Sequence, residues 1–222
     1  MLSVEEEKNN VKRRSKGERT RHQILEATIK VLALKGIKGT THRAIAKAAN
    51  IQLSLTTYYF KDIEELIHQA IWLNAEASII TSADLCAEIL PLLTKFDKAE
   101  LKKLENKRLI AEDISRVLVD HILTNISDKP EEILVEHILF TQTHLSDELL
   151  NFSYKHKIIL SEPFNKLCKG LNNKSVELDT EILFTLIKQW QYQQLLATNN
   201  QQESGKLYSL IFRAISLLLK IK

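Results

Sequence analysis

The side chains best suited to chemistry are unevenly distributed along the 222 residues. Between Lys8 and Lys61 there are thirteen Lys and Arg against only Glu18 and Glu26, whereas from Asp62 onward eighteen Lys and Arg face twenty-three Asp and Glu. A one-signed segment ahead of a mildly acidic remainder suits a polyanion-binding head on a separate body, with a solvated basic face as the alternative. Near the end of that segment Tyr58, Tyr59 and Lys61 combine hydroxyls, rigid rings and a cation, a set suited to phosphate oxygens, and Phe60 among them is expected in the core. Lys12, Arg13, Arg14 and Lys16 form a second basic run, which can act as a solubilising tail or enter a minor groove. Further on, His137 and His144 are seven apart and share a helix face, but no carboxylate pattern accompanies them and satisfied histidines fit better than metal ligands. Cys86 and Cys168 lack any Cys-x-x-Cys partner, so neither a disulfide framework nor a zinc site is indicated. With no nucleophile motif, metal signature or phosphate loop, neither an enzyme nor a cofactor is expected.

The elements that must position these groups read as helices. Only five Gly and three Pro occur, and Leu, Ile, Ala, Lys, Glu and Gln dominate without period-two alternation. Ser15 and Glu18 have capping-box spacing, and Ile24, Ala27, Thr28, Val31 and Leu34 follow a helical stripe that Gly36 can stop. After the turn to Gly39, Thr40 or Thr41 can cap a second, short helix with Ile45, Ala48 and Ala49 inward and Arg43 and Lys47 outward. Asn50 accepts the left-handed conformation that ends it, and a third helix is predicted from Gln52 or Leu53 to Tyr59. Two short helices joined this tightly meet the requirement of a helix-turn-helix, in which the first braces the second in a major groove.

These residues carry a resemblance. Gly17 to Ile71 resembles the DNA-binding domain of the TetR family of bacterial regulators along its whole length, through the Ile-Leu-x-Ala of helix one, Gly-x-x-x-Thr-Thr, Arg-x-Ile-Ala, Tyr-Tyr-Phe and Glu-Glu-Leu. The resemblance implies that Thr41, His42 and Arg43 at the start of helix two, and Leu53, Ser54, Leu55, Thr57, Tyr58, Tyr59 and Lys61 on and after helix three, face DNA. Arg43 can reach a guanine edge or a phosphate. Leu53 and Leu55 can read thymine methyls or pack against helix one. Asn50 stands where the family usually has Gly, Ala44 where it often has an acid, Ile63 where a Lys is frequent and Thr57 where a Tyr is frequent, which implies fewer or rearranged phosphate contacts.

The expected fold class is all-α, with about nine to ten helices: an N-terminal arm over 1–14, a three-helix helix-turn-helix head over 15–75, and a larger ligand-binding and dimerisation body over 76–222. Beyond Asp62 the predicted helices are Asp62 or Ile63 to Ile80, then 83–96, 98–125, 130–145, 147–170, 179–198 and 202–221, with Pro130 in a first turn and Pro91 and Pro163 at kinks or breaks. The last two carry apolar stripes that include Leu183, Leu186 and Trp190, then Leu207, Ile211, Ala214, Ile215 and Leu218. The family resemblance implies that they pair with their two-fold mates in a homodimer, with plain intramolecular core as the alternative. His137, Phe140, His144, Phe152 and Trp190 are candidates to line an effector pocket, and His121 is a further polar group suited to one. The expected partners are double-stranded operator DNA, a second copy and an unidentified small-molecule effector. Repression relieved by that effector is implied by the family alone, with a constitutive or protein-controlled DNA binder as the other reading. No stretch is apolar enough to span a membrane, and a cytoplasmic location is expected.

Overall fold

A computed structural model of the chain describes residues 4–97, 99–142, 146–171, 174–196 and 204–221, with the backbone alone at 4–15 and 196. All regular structure among them is helical. The order is α1 (Val4–Gly39), α2 (His42–Ala49), α3 (Leu53–Tyr59), α4 (Ile63–Leu93), a 3₁₀ turn (Glu100–Lys102), α5 (Leu104–Asp128), α6 (Pro130–Thr141), α7 (Asp147–Gly170), α8 (Val176–Leu196) and α9 (Ser204–Leu218). The chain divides into two compact units, Met1–Ala75 and Glu76–Lys222.

In the first unit α1 packs on α2 and α2 on α3. Its buried set includes Ile24, Leu25, Val31 and Leu32 of α1, Ile45 and Ala49 of α2, Phe60, and Leu66 and Ile71 of α4. Helix α1 starts at Val4, so the backbone of 4–14, expected as an arm, is helical and position 15 lies inside the helix, not at its start. Gly36 breaks α1 as expected, at φ 64°. Gly39 is required for a different reason, because a Cβ there would lie 2.6 Å from that of Lys35. Leu34 and Ala48, expected inward, are exposed, while Leu32 and Ala46 are buried. Taking Ile24 as zero on a wheel of about 100° per residue, the buried arc passes through Thr28 and Leu32 and leaves Leu34 just outside it. Ala48 falls outside the arc of Ile45, Ala49 and Ala46 in the same way.

The second unit is built around α5, which packs on α6, α8, α9 and the 3₁₀ turn, while α7 packs on α8. Its core holds Leu85 and Ile89 of α4, Ile110, Ile114, Leu118 and Ile122 of α5, Leu160, Phe164 and Leu167 of α7, and Leu183, Phe184, Ile187 and Trp190 of α8. Helix α9 adds Leu207, Ile211 and Ile215 to the same core. The break expected near Ile80 is absent and α4 continues to Leu93, with Pro91 in its last turn. Thr81, a cap-like residue there, instead donates its hydroxyl to Ala77 O one turn back, at 3.2 Å. Pro130 does open α6, and Pro163 lies within α7 without ending it.

Five residues expected at a dimer interface are therefore reassigned. Leu183, Trp190, Leu207, Ile211 and Ile215 are buried against helices of their own chain, and Leu186, Ala214 and Leu218 pack partly buried around the same core. An apolar stripe specifies that it must be covered, and here α5 and its neighbours cover it.

Candidate nucleic-acid interface and body cavity

Short-range bonds fix the two helices that would meet DNA. Thr41 caps α2, its Oγ1 accepting from Ala44 N at 3.2 Å; the acid absent at position 44 leaves the other half of a capping box unmade. Asn50 ends α2 at φ 53°, ψ 49°, and the Ile51 amide donates to Ala46 O at 3.0 Å, turning the chain into α3 in two residues. Thr56 is fully buried and donates to Leu53 O at 2.8 Å, while its Oγ1 lies 3.0 Å from His42 Nδ1. His42, expected to face DNA, is thus spent in part on bracing α2 against α3. Gln23 Nε2 holds the end of α2 to α1 through Ala49 O at 2.8 Å.

The start of α4 is locked equally firmly. Asp62 Oδ1 accepts from Glu65 N at 2.8 Å, and Glu65 Oε2 accepts from Lys61 N at 2.7 Å. Gln69 Nε2 donates to Glu65 Oε1 at 2.7 Å, and Arg21 donates to Gln69 while its guanidinium lies 5.3 Å above the Phe60 ring. Sequence reasoning recorded only the Glu-Glu-Leu of this network; the Asp62-x-x-Glu65 spacing was the signal that could have found the rest.

What remains accessible is a set of groups of one sign. Thr41, Arg43, Lys47, Ser54, Thr57 and Lys61 are exposed, with Leu53 at 45% and Tyr58 at 78%. Leu55 and Tyr59 are half-buried, so each pair divides: Leu53 and Tyr58 outward, Leu55 and Tyr59 partly inward. The Tyr58 and Tyr59 rings meet edge to face at 5.0 Å. No Asp or Glu occurs anywhere from Ala27 to Lys61.

Residues 24–70 match the family model for bacterial regulatory proteins of the tetR family. The N-terminal unit is similar to the domain of that family. Solved structures of that family share the fold across nearly the whole chain. A TetR-family transcriptional regulator from Mesorhizobium loti MAFF303099 superposes with a TM-score of 0.63 at 14% identity, covering 92% of this chain and 97% of its own. A transcriptional regulator from Rhodococcus sp. Rha1 gives 0.63 at 14% identity, covering 90% and 96%. The multidrug binding protein EbrR, complexed with imidazole, gives 0.53 at 19% identity, covering 87% and 93%. A comparison with curated protein sequences gives no match. The chain thus has the all-helical fold of a TetR-family transcriptional regulator, with the family's helix-turn-helix in α2 and α3.

Outside this head, the body contains a cavity of about 60 Å³ walled by α4, α5, α6, α7 and α8. Leu85, Leu118, Ile122, Leu160, Phe164 and Ile187 form its apolar side. On its polar side Glu136 Oε1 accepts from Lys188 Nζ at 2.7 Å and from the Tyr192 hydroxyl at 3.2 Å. Lys129 Nζ donates to Thr81 Oγ1 at 2.9 Å. Burial, reinforced by Lys188 and Lys129 against the opposing pull of Asp84, lowers the pKa of His121 to about 4, so its ring is neutral at physiological pH. Gln191 is 4% exposed and its Oε1 has no hydrogen-bond partner among the described residues.

The expected pocket residues lie elsewhere. His137 meets Tyr192 with ring centroids 4.2 Å apart and the rings tilted by 49°, Phe140 packs near His156 and Phe184, Phe152 stacks on His156 at 5.8 Å, and Trp190 is core; none of the four lines the cavity. His144 lies outside the described residues. Of the polar groups singled out in the sequence, His121 alone among the described residues is in the wall. Cys168 is buried beside Thr180, and burial pushes its thiol up to about 11, which disfavours the nucleophilic thiolate. Among the described residues there is no cluster of His, Cys, Asp and Glu able to hold a metal, and no helix is long and apolar enough to cross a membrane.

Proposed function

We propose that this protein is a sequence-specific DNA-binding transcriptional regulator that acts as a homodimer and represses from an operator until a small molecule binds its body. The observation that carries the reading is the acid-free exposed face of α2 and α3. Arg43 and Lys47 supply cations, while Thr41, Ser54, Thr57 and Tyr58 supply hydroxyls. Such a face gains from counterion release on any duplex and discriminates through Arg43 and the outward side chains of α3. The cavity supports a small-molecule effector, and its α4 wall at Ser78, Thr81 and Ser82 belongs to the helix whose first turns hold the head core.

Dimerisation is supported by apolar side chains that are left exposed among the described residues. Leu150, Tyr154 and Ile158 recur at four-residue spacing on α7, and Leu178 and Ile182 do so on α8; all five are exposed. A second copy placed there brings two heads to the half-sites of a near-palindromic operator. Tyr154→Glu and Ile182→Glu should shift the mass in solution from dimer toward monomer, and an unchanged mass would remove α7 and α8 from the interface.

The deciding experiment is binding to the upstream intergenic DNA of the gene against a length-matched control, across a salt series, with Arg43→Ala and Tyr58→Phe. Preference for the upstream fragment that weakens with salt and falls in the variants supports the reading. Equal binding of both fragments with no effect of either variant overturns specific autoregulation.

A further inference from the structure

We infer that a groove between α5 and α9 is a separate ligand site for a small aromatic acid, with the acid's carboxylate or phosphate at Arg108 and Arg213 and its ring against Tyr208 and Phe212. The groove shares no wall residue with the body cavity, and its chemistry does not depend on the effector reading above.

Short motifs build the groove. Tyr208, Phe212 and Ser216 recur at four-residue spacing on one face of α9, with Ser209 and Arg213 in the adjacent row, and all five line it. Past α9, Lys220 takes the left-handed conformation at φ 54° and the Ile221 amide donates to Ser216 O at 2.9 Å, which turns Ile221 back into the wall. Lys107 Nζ donates to Leu219 O at 2.7 Å and so ties that turn to α5 one residue before Arg108.

Charge decides what the groove accepts. Among the described residues its wall carries two guanidiniums and no acid. Arg108 and Arg213 are exposed, and neither has a hydrogen bond or ion pair among the described residues. The acids next along α5 do not neutralise them: Glu112 is held by Arg116 at 3.3 Å, and Glu105 lies outside the wall. A cationic ligand therefore meets two like charges with no carboxylate facing it, whereas an oxyanion meets two unspent forks of N–H donors.

The remaining wall adds a donor and a flat apolar side. Ser209 spends its proton on Gly205 O at 2.8 Å, but Ser216, only 5% exposed, keeps its Oγ without a partner and can donate to an incoming oxygen. The half-buried rings of Tyr208 and Phe212 are parallel to within 10° with centroids 5.9 Å apart, a surface on which an aromatic ring packs beside Ile221. The groove encloses about 550 Å³, well above the roughly 150 Å³ void that accepts benzene, so one or two fused rings fit.

The test is calorimetric titration of the full-length protein with 2-naphthoate and 2-naphthyl phosphate. Controls are 2-naphthol, 2-naphthylmethylammonium and cyclohexanecarboxylate, which remove the charge, reverse it and remove the aromatic ring. At least one naphthyl anion should bind about tenfold or more tightly than each control, and the tighter of the two names the head group. Arg108→Met and Arg213→Met should each weaken that binding about tenfold, and Ser216→Ala about threefold. Both arginine side chains are exposed, so those two variants should keep the parent's circular dichroism spectrum and thermal midpoint. Anion binding untouched by either arginine variant places the ligand elsewhere and overturns the inference. Equal or tighter binding of the ammonium overturns it too, as does saturable binding by neither anion, the result expected of a groove covered by a second copy.

Discussion

In the head, buried hydroxyls find partners within one helical turn: Thr28 on Ile24 O, Thr40 on Gly36 O and Thr56 on Leu53 O. In the body, Glu136 meets Lys188 and Tyr192 from another helix, and His156, 2% exposed between Phe140 and Phe152, keeps both ring nitrogens without a partner among the described residues. The head thus buries hydroxyls and an amide but no charged side chain among its described residues, and leaves its cations outside, where a polyanion can reach them. The body holds charge inside at a desolvation cost that only mutual pairing offsets, and such interiors are where ligands and protons act.

This contrast can be broken most forcefully at Lys188. Lys188→Met leaves Glu136 buried with only Tyr192, and the body should lose about 3 kcal/mol or more of stability in urea denaturation. Adding Glu136→Gln should recover most of that loss; a single variant as stable as the parent would mean that the pair is not desolvated. A second distinction is with pH. The folded pKa of His121, about 4, lies below the unfolded value of about 6.5, so the unfolded chain takes up the proton first as pH falls through that window. Stability should therefore fall from pH 7 toward pH 4, by about 3 kcal/mol from this group when the window is complete, and His121→Gln should flatten the profile. His156 and His137, their pKa values also lowered by burial, act in the same direction.

The head should respond in affinity more than in stability. Arg43→Ala is expected to cost about 1 to 3 kcal/mol of operator binding if it reads a guanine edge, with a change in unfolding free energy within about 0.5 kcal/mol because the side chain is exposed. Loss of fold rather than affinity would make Arg43 structural. The smallest effect belongs to the cap: Thr41→Ala should destabilise α2 by about 1 kcal/mol, visible as a lower midpoint in thermal unfolding.

The same contrast explains what could be read from sequence. Gly36, Thr41, Asn50 and Phe60 announce the head because each acts over a few residues, and all four do what their types require. Leu34 and Ala48 were misplaced because a stripe of alternate turns has edges that only the packed partner defines. In the body, helices α6 to α9 were legible as helices, yet the cover on Leu207, Ile211 and Ile215 was not, since periodicity cannot distinguish a neighbour in the same chain from one in a copy. The cavity was missed for the same reason: Glu136, Lys188 and Gln191 come from two helices far apart in sequence, and ring-bearing residues nearby, such as Phe140 and Trp190, pack the core instead.

The chain's two tryptophans fall one to each unit, Trp72 half-buried in the first and Trp190 buried in the second. Emission spectra of Trp72→Phe and Trp190→Phe proteins would then give each unit its own optical clock. With them, the order in which the two halves melt becomes a matter of comparing two fluorescence traces.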